Sequence, residues 1–222
     1  MKIALRHIIF AFIIAGLCVR TFQHREALFN DWDEGIYAKV ADDMAERNSF
    51  LLPYFNEKPY FDKPPVTHGT AAIAFKLFPH HRELASRGMM TLAGIALLGV
   101  TYLLSRRITQ FFFAQKLSTL SEWQQELIFF SPVFATALTP VFLDRAVRLN
   151  TDSILALSWL TYFLAGSSFK GKLVSVVVGT WTKSIAGFYP MVFDVFSFAF
   201  SKQKRSSYLC ILVFPLLHLA GS

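Results

Sequence analysis

The chain has 222 residues, 54% hydrophobic and 16% aromatic, with only 17% charged residues and a mean hydropathy of +0.41. A soluble domain carries about a quarter charged residues, so this composition excludes an ordinary water-soluble protein. The net charge of +7 does not point to nucleic acid, because the basic residues fall in short clusters between apolar runs, as in membrane loops.

The first spanning segment is expected over residues 3–22, with Arg6 and Arg20 reaching opposite interfaces. Its basic start resembles a signal peptide, but no small-residue cleavage site follows, so an uncleaved helix is expected. An outer loop then covers residues 23–86. Within it, Ile36, Tyr37, Val40, Ala41 and Met44 recur at helical spacing, opposite Lys39, Asp42, Asp43, Glu46 and Arg47. This pattern predicts an amphipathic helix over 34–47 lying along the membrane surface, capped by Asp31 or Asp33. Prolines 53, 59, 64 and 65 predict extended or turning backbone over 50–65. Residues 66–78 are apolar but too short to cross about 30 Å of hydrocarbon, and predict a second interfacial helix.

Further spans are expected over 87–104, 127–143, 153–169 and 208–220. Residues 173–200 have basic flanks on both sides, yet cannot cross twice; they predict a re-entrant helix pair turning near Lys183. The fold class is therefore all-α and integral to the membrane, a single multi-span bundle with interfacial helices in its first outer loop. Alternating spans put Lys2/Arg6, Arg106/Arg107/Lys116, Lys170/Lys172 and Lys202/Lys204/Arg205 on one side, which the positive-inside rule makes cytoplasmic. Cys18 and Cys210 lie inside apolar segments and read as small packing residues, neither a disulfide nor a metal pair.

Three constellations carry candidate chemistry. Asp33–Glu34 is a candidate general base at the outer mouth of the bundle, or an N-cap with a first-turn acid, the commoner use of such a pair. Asp62-Lys63-Pro64-Pro65 is a candidate phosphate grip, or an exposed turn with a surface ion pair. Arg145, Arg148 and Asp152 stand at the expected outer junction of two spans, either as site residues or as loop solvation; Arg87 and Lys183 either serve the same site or snorkel. His68, His80 and His81 have no third ligand at metal spacing. No glycine-rich phosphate loop, nucleotide fingerprint or serine elbow occurs, so for a transferase a soluble nucleotide is not the expected donor.

Taken in order, DEGIYAKVADDM, YFDKPP, FKLF…ELASR, RAVRLNTDSILAL and TWTKSIAGFYP resemble the amino-terminal half of the polyprenyl-phosphate-sugar-dependent GT-C glycosyltransferases, among them protein O-mannosyltransferases and the lipid A aminoarabinose transferase. The resemblance covers residues 5–220. It implies transfer of a sugar, with inversion, from a membrane-anchored polyprenyl phosphate to a hydroxyl of a lipid or protein acceptor. It implies further that Asp33 is the catalytic aspartate and Glu34 its acidic neighbour, and that Lys63 lies near the donor phosphate. Asp62 stands where aminoarabinose transferases have a glutamate; Arg87 and Asp152 match residues facing the same cavity, and Arg148 is a weaker match. Where the family has Gly-Pro after the lysine, this chain has Ser184-Ile185.

No cofactor is expected, with a divalent metal left open. The expected location is a bacterial inner membrane, with the active-site loop on the periplasmic side. Family members are commonly more than twice as long, so the competing expectation is a truncated, non-catalytic product, or a subunit completed by a second chain. A transporter would need internal repeats and several mid-membrane polar residues; only Lys183 and Asp194 come near that.

Overall fold

A computed structural model describes residues 2–25, 29 and 32–200, with side chains for 6–25, 29 and 32–196. The span expected over 208–220 and the candidate cap Asp31 lie outside the described residues. The chain is mostly helical, and its order is α1 (Lys2–Gln23), α2 (Trp32–Arg47), β1 (Tyr54–Phe55), β2 (Lys58–Pro59), α3 (Pro65–Leu77), α4 (Arg82–Ser118), α5 (Glu122–Ala137), α6 (Pro140–Arg145), α7 (Asp152–Leu164), α8 (Phe169–Lys183), a 3-10 turn (Ser184–Phe188) and α9 (Tyr189–Phe200). Two of these, α1 and α4, contain stretches long and apolar enough to cross a membrane.

Helix α4 is the axis of the molecule: α1, α3, α5 and α7 all pack on it. On one side α2 and α3 close a core of Tyr37, Val40, Ala41, Met44, Ala71, Ala72 and Phe75, which also takes in Met90 of α4 and Leu149. Full burial of the larger of these, such as Val40, Met44 or Leu149, contributes roughly 1.5–3 kcal/mol each. Leu17, Leu98, Tyr102, Phe130, Val133 and Ala146 form a second core along α1, α4 and α5. Tyr162, Val176 and Met191 join α7, α8 and α9 in a third.

The helices expected along the membrane surface, α2 and α3, depart from a simple surface arrangement. Helix α2 starts at Trp32, so Asp33 lies in its first turn instead of capping it. Its polar side is partly buried too, since Asp43 accepts from Lys39 Nζ (2.6 Å) and from the Asn56 backbone N–H (2.7 Å). The antiparallel pair β1–β2 turns through Asn56 and Glu57, both at positive φ. Pro64 and Pro65 open α3, where the absent proline N–H costs nothing. A side chain at Gly69 would strike the Phe50 carbonyl, so the close approach of α3 to that loop depends on glycine.

Several expected spans change. The segment 127–143 is not one helix: α5 ends at Ala137, and Thr139 caps a new helix whose first residue is Pro140, accepting from the Phe142 N–H at 3.3 Å. Proline lacks the N–H needed to continue α5, and Thr-Pro is a helix-start signal. The span expected over 87–104 belongs to a longer helix of 37 residues. The one expected over 153–169 ends at Leu164, where Gly166 turns the chain at φ +57. Helix α8 begins at Phe169 and ends at Lys183, where Ser184 takes φ 47 and ψ −126 before the 3-10 turn. That turn lies against Gly179 and Thr180 through Gly187, at which any side chain would collide with the α8 backbone.

Candidate functional site

The start of α2, the residue before Pro64, the loop from α6 to α7 and the end of α8 enclose a polar cavity of about 470 Å³. Its lining includes Asp33, Glu34 and Tyr37 of α2, Lys63, then Arg145, Arg148, Leu149, Asn150, Thr151 and Asp152, and finally Lys183. Four cationic side chains thus face three carboxylates, which suits an anionic group held beside an acid.

The two adjacent acids of α2 sit in different surroundings, because consecutive helical residues point about 100° apart. Asp33 is exposed at the cavity mouth. Glu34 turns inward and is 2% exposed. Its Oε1 accepts from the Leu149 backbone N–H at 3.1 Å and lies 3.7 Å from Arg87 Nε. Arg87 is equally buried; it donates to the His24 carbonyl and its guanidinium stands 5.5 Å from the Phe29 ring centre. Glu34 and Arg87 therefore tie together the end of α1, α2, α4 and the α6–α7 loop.

The opposite wall is ordered by Asn150. Its Nδ2 donates to the carbonyls of Arg145 and Arg148 at 2.6 Å each, and its Oδ1 accepts from the N–H groups of Asp152 (2.8 Å) and Ser153 (3.2 Å) at the start of α7. Asp152 bridges two cations: Oδ1 lies 2.6 Å from Lys183 Nζ and Oδ2 lies 3.7 Å from Arg145 Nε. Arg148 Nε pairs with Asp144 Oδ1 at 2.9 Å. Lys183 reaches this wall because α8 stops there.

Behind Tyr37 lies His68, fully buried in α3, its ring edge-to-face with Tyr37 (5.0 Å between centroids) and with Tyr60 (5.9 Å). Burial lowers the His68 pKa to about 4, with the Lys63 charge acting in the same direction, so the ring is neutral near pH 7. Burial raises the Tyr37 phenol to about 12, reinforced by the Asp33 carboxylate. Tyr37 thus remains a neutral hydroxyl beside Asp33.

Of the residues singled out from sequence, Asp33, Glu34, Lys63, Arg145, Arg148, Asp152 and Lys183 line the cavity together. Two do not. Asp62 is exposed and lies off the lining, although its charge raises the Tyr60 phenol after burial does. Arg87, expected to face the same cavity, is not among the lining side chains; it is buried with its Nε 3.7 Å from Glu34 Oε1. Sequence reasoning missed Tyr37, read only as part of an apolar stripe, and Asn150. The Asn-Thr-Asp run ahead of an apolar segment was the available signal for the latter. Among the described residues no group of three or more His, Cys, Asp or Glu side chains could hold a metal ion.

No protein-family model matches the chain. An uncharacterized protein of Aquifex aeolicus is 36% identical over 77 residues, which is 35% of this chain and 15% of that protein. The crystal structure of ArnT from Cupriavidus metallidurans in the apo state matches with a TM-score of 0.57 and 19% identity, over 85% of this chain and 35% of that one. The chain thus spans about a third of that neighbour's length and less of the Aquifex protein's. The likeness is one of fold: a mostly helical chain, two of whose described helices are long and apolar enough to cross a membrane, arranged like part of that structure.

Proposed function

We propose that the cavity is the donor site of a membrane glycosyltransferase that takes a sugar from a polyprenyl phosphate. The observation that carries this reading is the meeting of Asp33 with Lys63, Arg145, Arg148 and Lys183 around one space. The glycosyl phosphate is an anion on a lipid, so its leaving group needs fixed cations at the membrane surface. Lys63 and Lys183 take that role from two sides, Lys183 by exchanging part of its pairing with Asp152 for the phosphate. Asp33 accepts the proton of the attacking acceptor hydroxyl. The new bond forms between that oxygen and the anomeric carbon; the bond to the phosphate oxygen breaks, its electron pair stays on the polyprenyl phosphate, and the sugar inverts. Glu34 and Arg87 hold the walls, and Asp62 stays outside. The acceptor is a lipid or protein hydroxyl, and the reaction takes place on the periplasmic side of a bacterial inner membrane.

The test is transfer of radiolabelled sugar from a panel of polyprenyl-phosphate sugars by membranes carrying the full chain. Transfer from one donor is expected, with Asp33→Asn lowering it by about 10²–10⁴-fold. Undiminished transfer in Asp33→Asn would remove the assignment of the base. No transfer from any donor, under conditions where lipid-phosphate binding is measurable, favours a non-catalytic chain or one completed by a second.

A further inference from the structure

The far end of α4 is unlike the rest of the helix. The helix has 37 residues and is about 55 Å long, nearly twice the roughly 30 Å of a hydrocarbon layer. Arg87 marks the cavity end, and Arg106 lies about 28 Å further along, near the opposite interface. The last turns therefore extend past the apolar layer, where exposed hydrophobic side chains are costly. Yet Phe111, Phe112 and Phe113 are 80%, 68% and 52% exposed, and the helix kinks at Phe113 (φ −128, ψ 22). Just past the kink, Leu117 is buried against the second core, so the elbow is anchored.

We infer that this elbow is a binding surface for the anionic headgroup layer of the membrane leaflet opposite the cavity. Charge is the first argument. Arg106, Arg107 and Lys116 flank the three rings, and no acidic residue occurs from 84 to 121. Angular spread is the second. Three successive helical side chains fan over about 200°. A protein groove covers one face of a helix, whereas a fluid interface surrounds all of it. Aromatic rings beside basic side chains suit the headgroup level, where an apolar body meets wet, negatively charged groups. Arg107 is held in place by a 2.6 Å bond from Nη1 to the Leu164 carbonyl, and Arg106 by the Phe129 ring at 6.0 Å, which fixes the charges relative to the rings.

The experiment uses the full chain with Cys18→Ser and Cys210→Ser, spin-labelled at Phe112→Cys, or at Phe111→Cys should the first fold poorly. The label is read by collision with oxygen and with a water-soluble nickel chelate, in vesicles of phosphatidylcholine alone or mixed with phosphatidylglycerol. The expected result is an oxygen-to-nickel collision ratio severalfold above that of a label at Glu57→Cys. That ratio rises further with phosphatidylglycerol, and Arg106→Gln/Arg107→Gln/Lys116→Gln abolishes the rise. A nickel-accessible label in both vesicles would place the elbow in water and overturn the inference. So would a label shielded from both probes, which would mean cover by protein such as a second copy of the chain, and so would a ratio indifferent to phosphatidylglycerol.

Discussion

At the scale of single residues, the site turns on two neighbouring acids given opposite tasks by helix geometry. Asp33 is exposed and contributes little to the fold, so Asp33→Asn should leave the melting temperature unchanged while removing transfer. Glu34 is the reverse case. Glu34→Gln keeps an oxygen for the Leu149 N–H but removes the buried negative charge 3.7 Å from Arg87 Nε, which should lower stability in denaturant unfolding. Adding Arg87→Met should recover much of the loss, because a neutral pair needs no counter-charge. His68 gives the pH signature. Its folded pKa of about 4 lies below the ordinary 6.5, so its contribution is complete above pH 6.5 and is lost as pH falls towards 4. Neither ring nitrogen makes a well-formed hydrogen bond to a described residue, so His68→Phe should keep the ring packing and flatten the acid limb of a stability–pH curve.

Among the elements, the break after α8 decides where Lys183 points, and it runs through a strained residue. Ser184 occupies φ 47 and ψ −126, a conformation open to glycine and costly for serine. Ser184→Gly should stabilise the chain by about 1 kcal/mol, read as a raised melting temperature with transfer preserved; Ser184→Val should lower both. The departure from Gly-Pro at Ser184-Ile185 was visible in the sequence, but that it loads strain onto the turn beside the site needed the backbone angles. Other boundaries were legible in part. Helix α2 could be read from the periodicity of Tyr37, Val40 and Met44, and helix α3 from the apolar run over 66–78, though its start at Pro65 was read as extended backbone. The division of 127–143 was also written there, in Thr139-Pro140, but hydropathy outweighed the cap signal. The burial of Arg87 was not legible, since an arginine opening an apolar run reads alike whether it snorkels, faces a cavity or pairs behind a wall.

For the whole molecule, the central claim is that α2, the α6–α7 loop and the end of α8 are brought together to hold a lipid-borne phosphate beside Asp33. Cavity residues separated by more than a hundred positions, Lys63 and Lys183 among them, meet only in the folded chain. The direct measurement is binding of polyprenyl phosphate and of the uncharged polyprenol to the full chain in nanodiscs. The phosphate should bind at least about tenfold more tightly, and Lys63→Gln and Lys183→Gln should each remove much of that preference, since one charge-assisted contact is worth about 1.5–3 kcal/mol. Equal affinity for the two lipids, or a preference untouched by either substitution, would contradict the account.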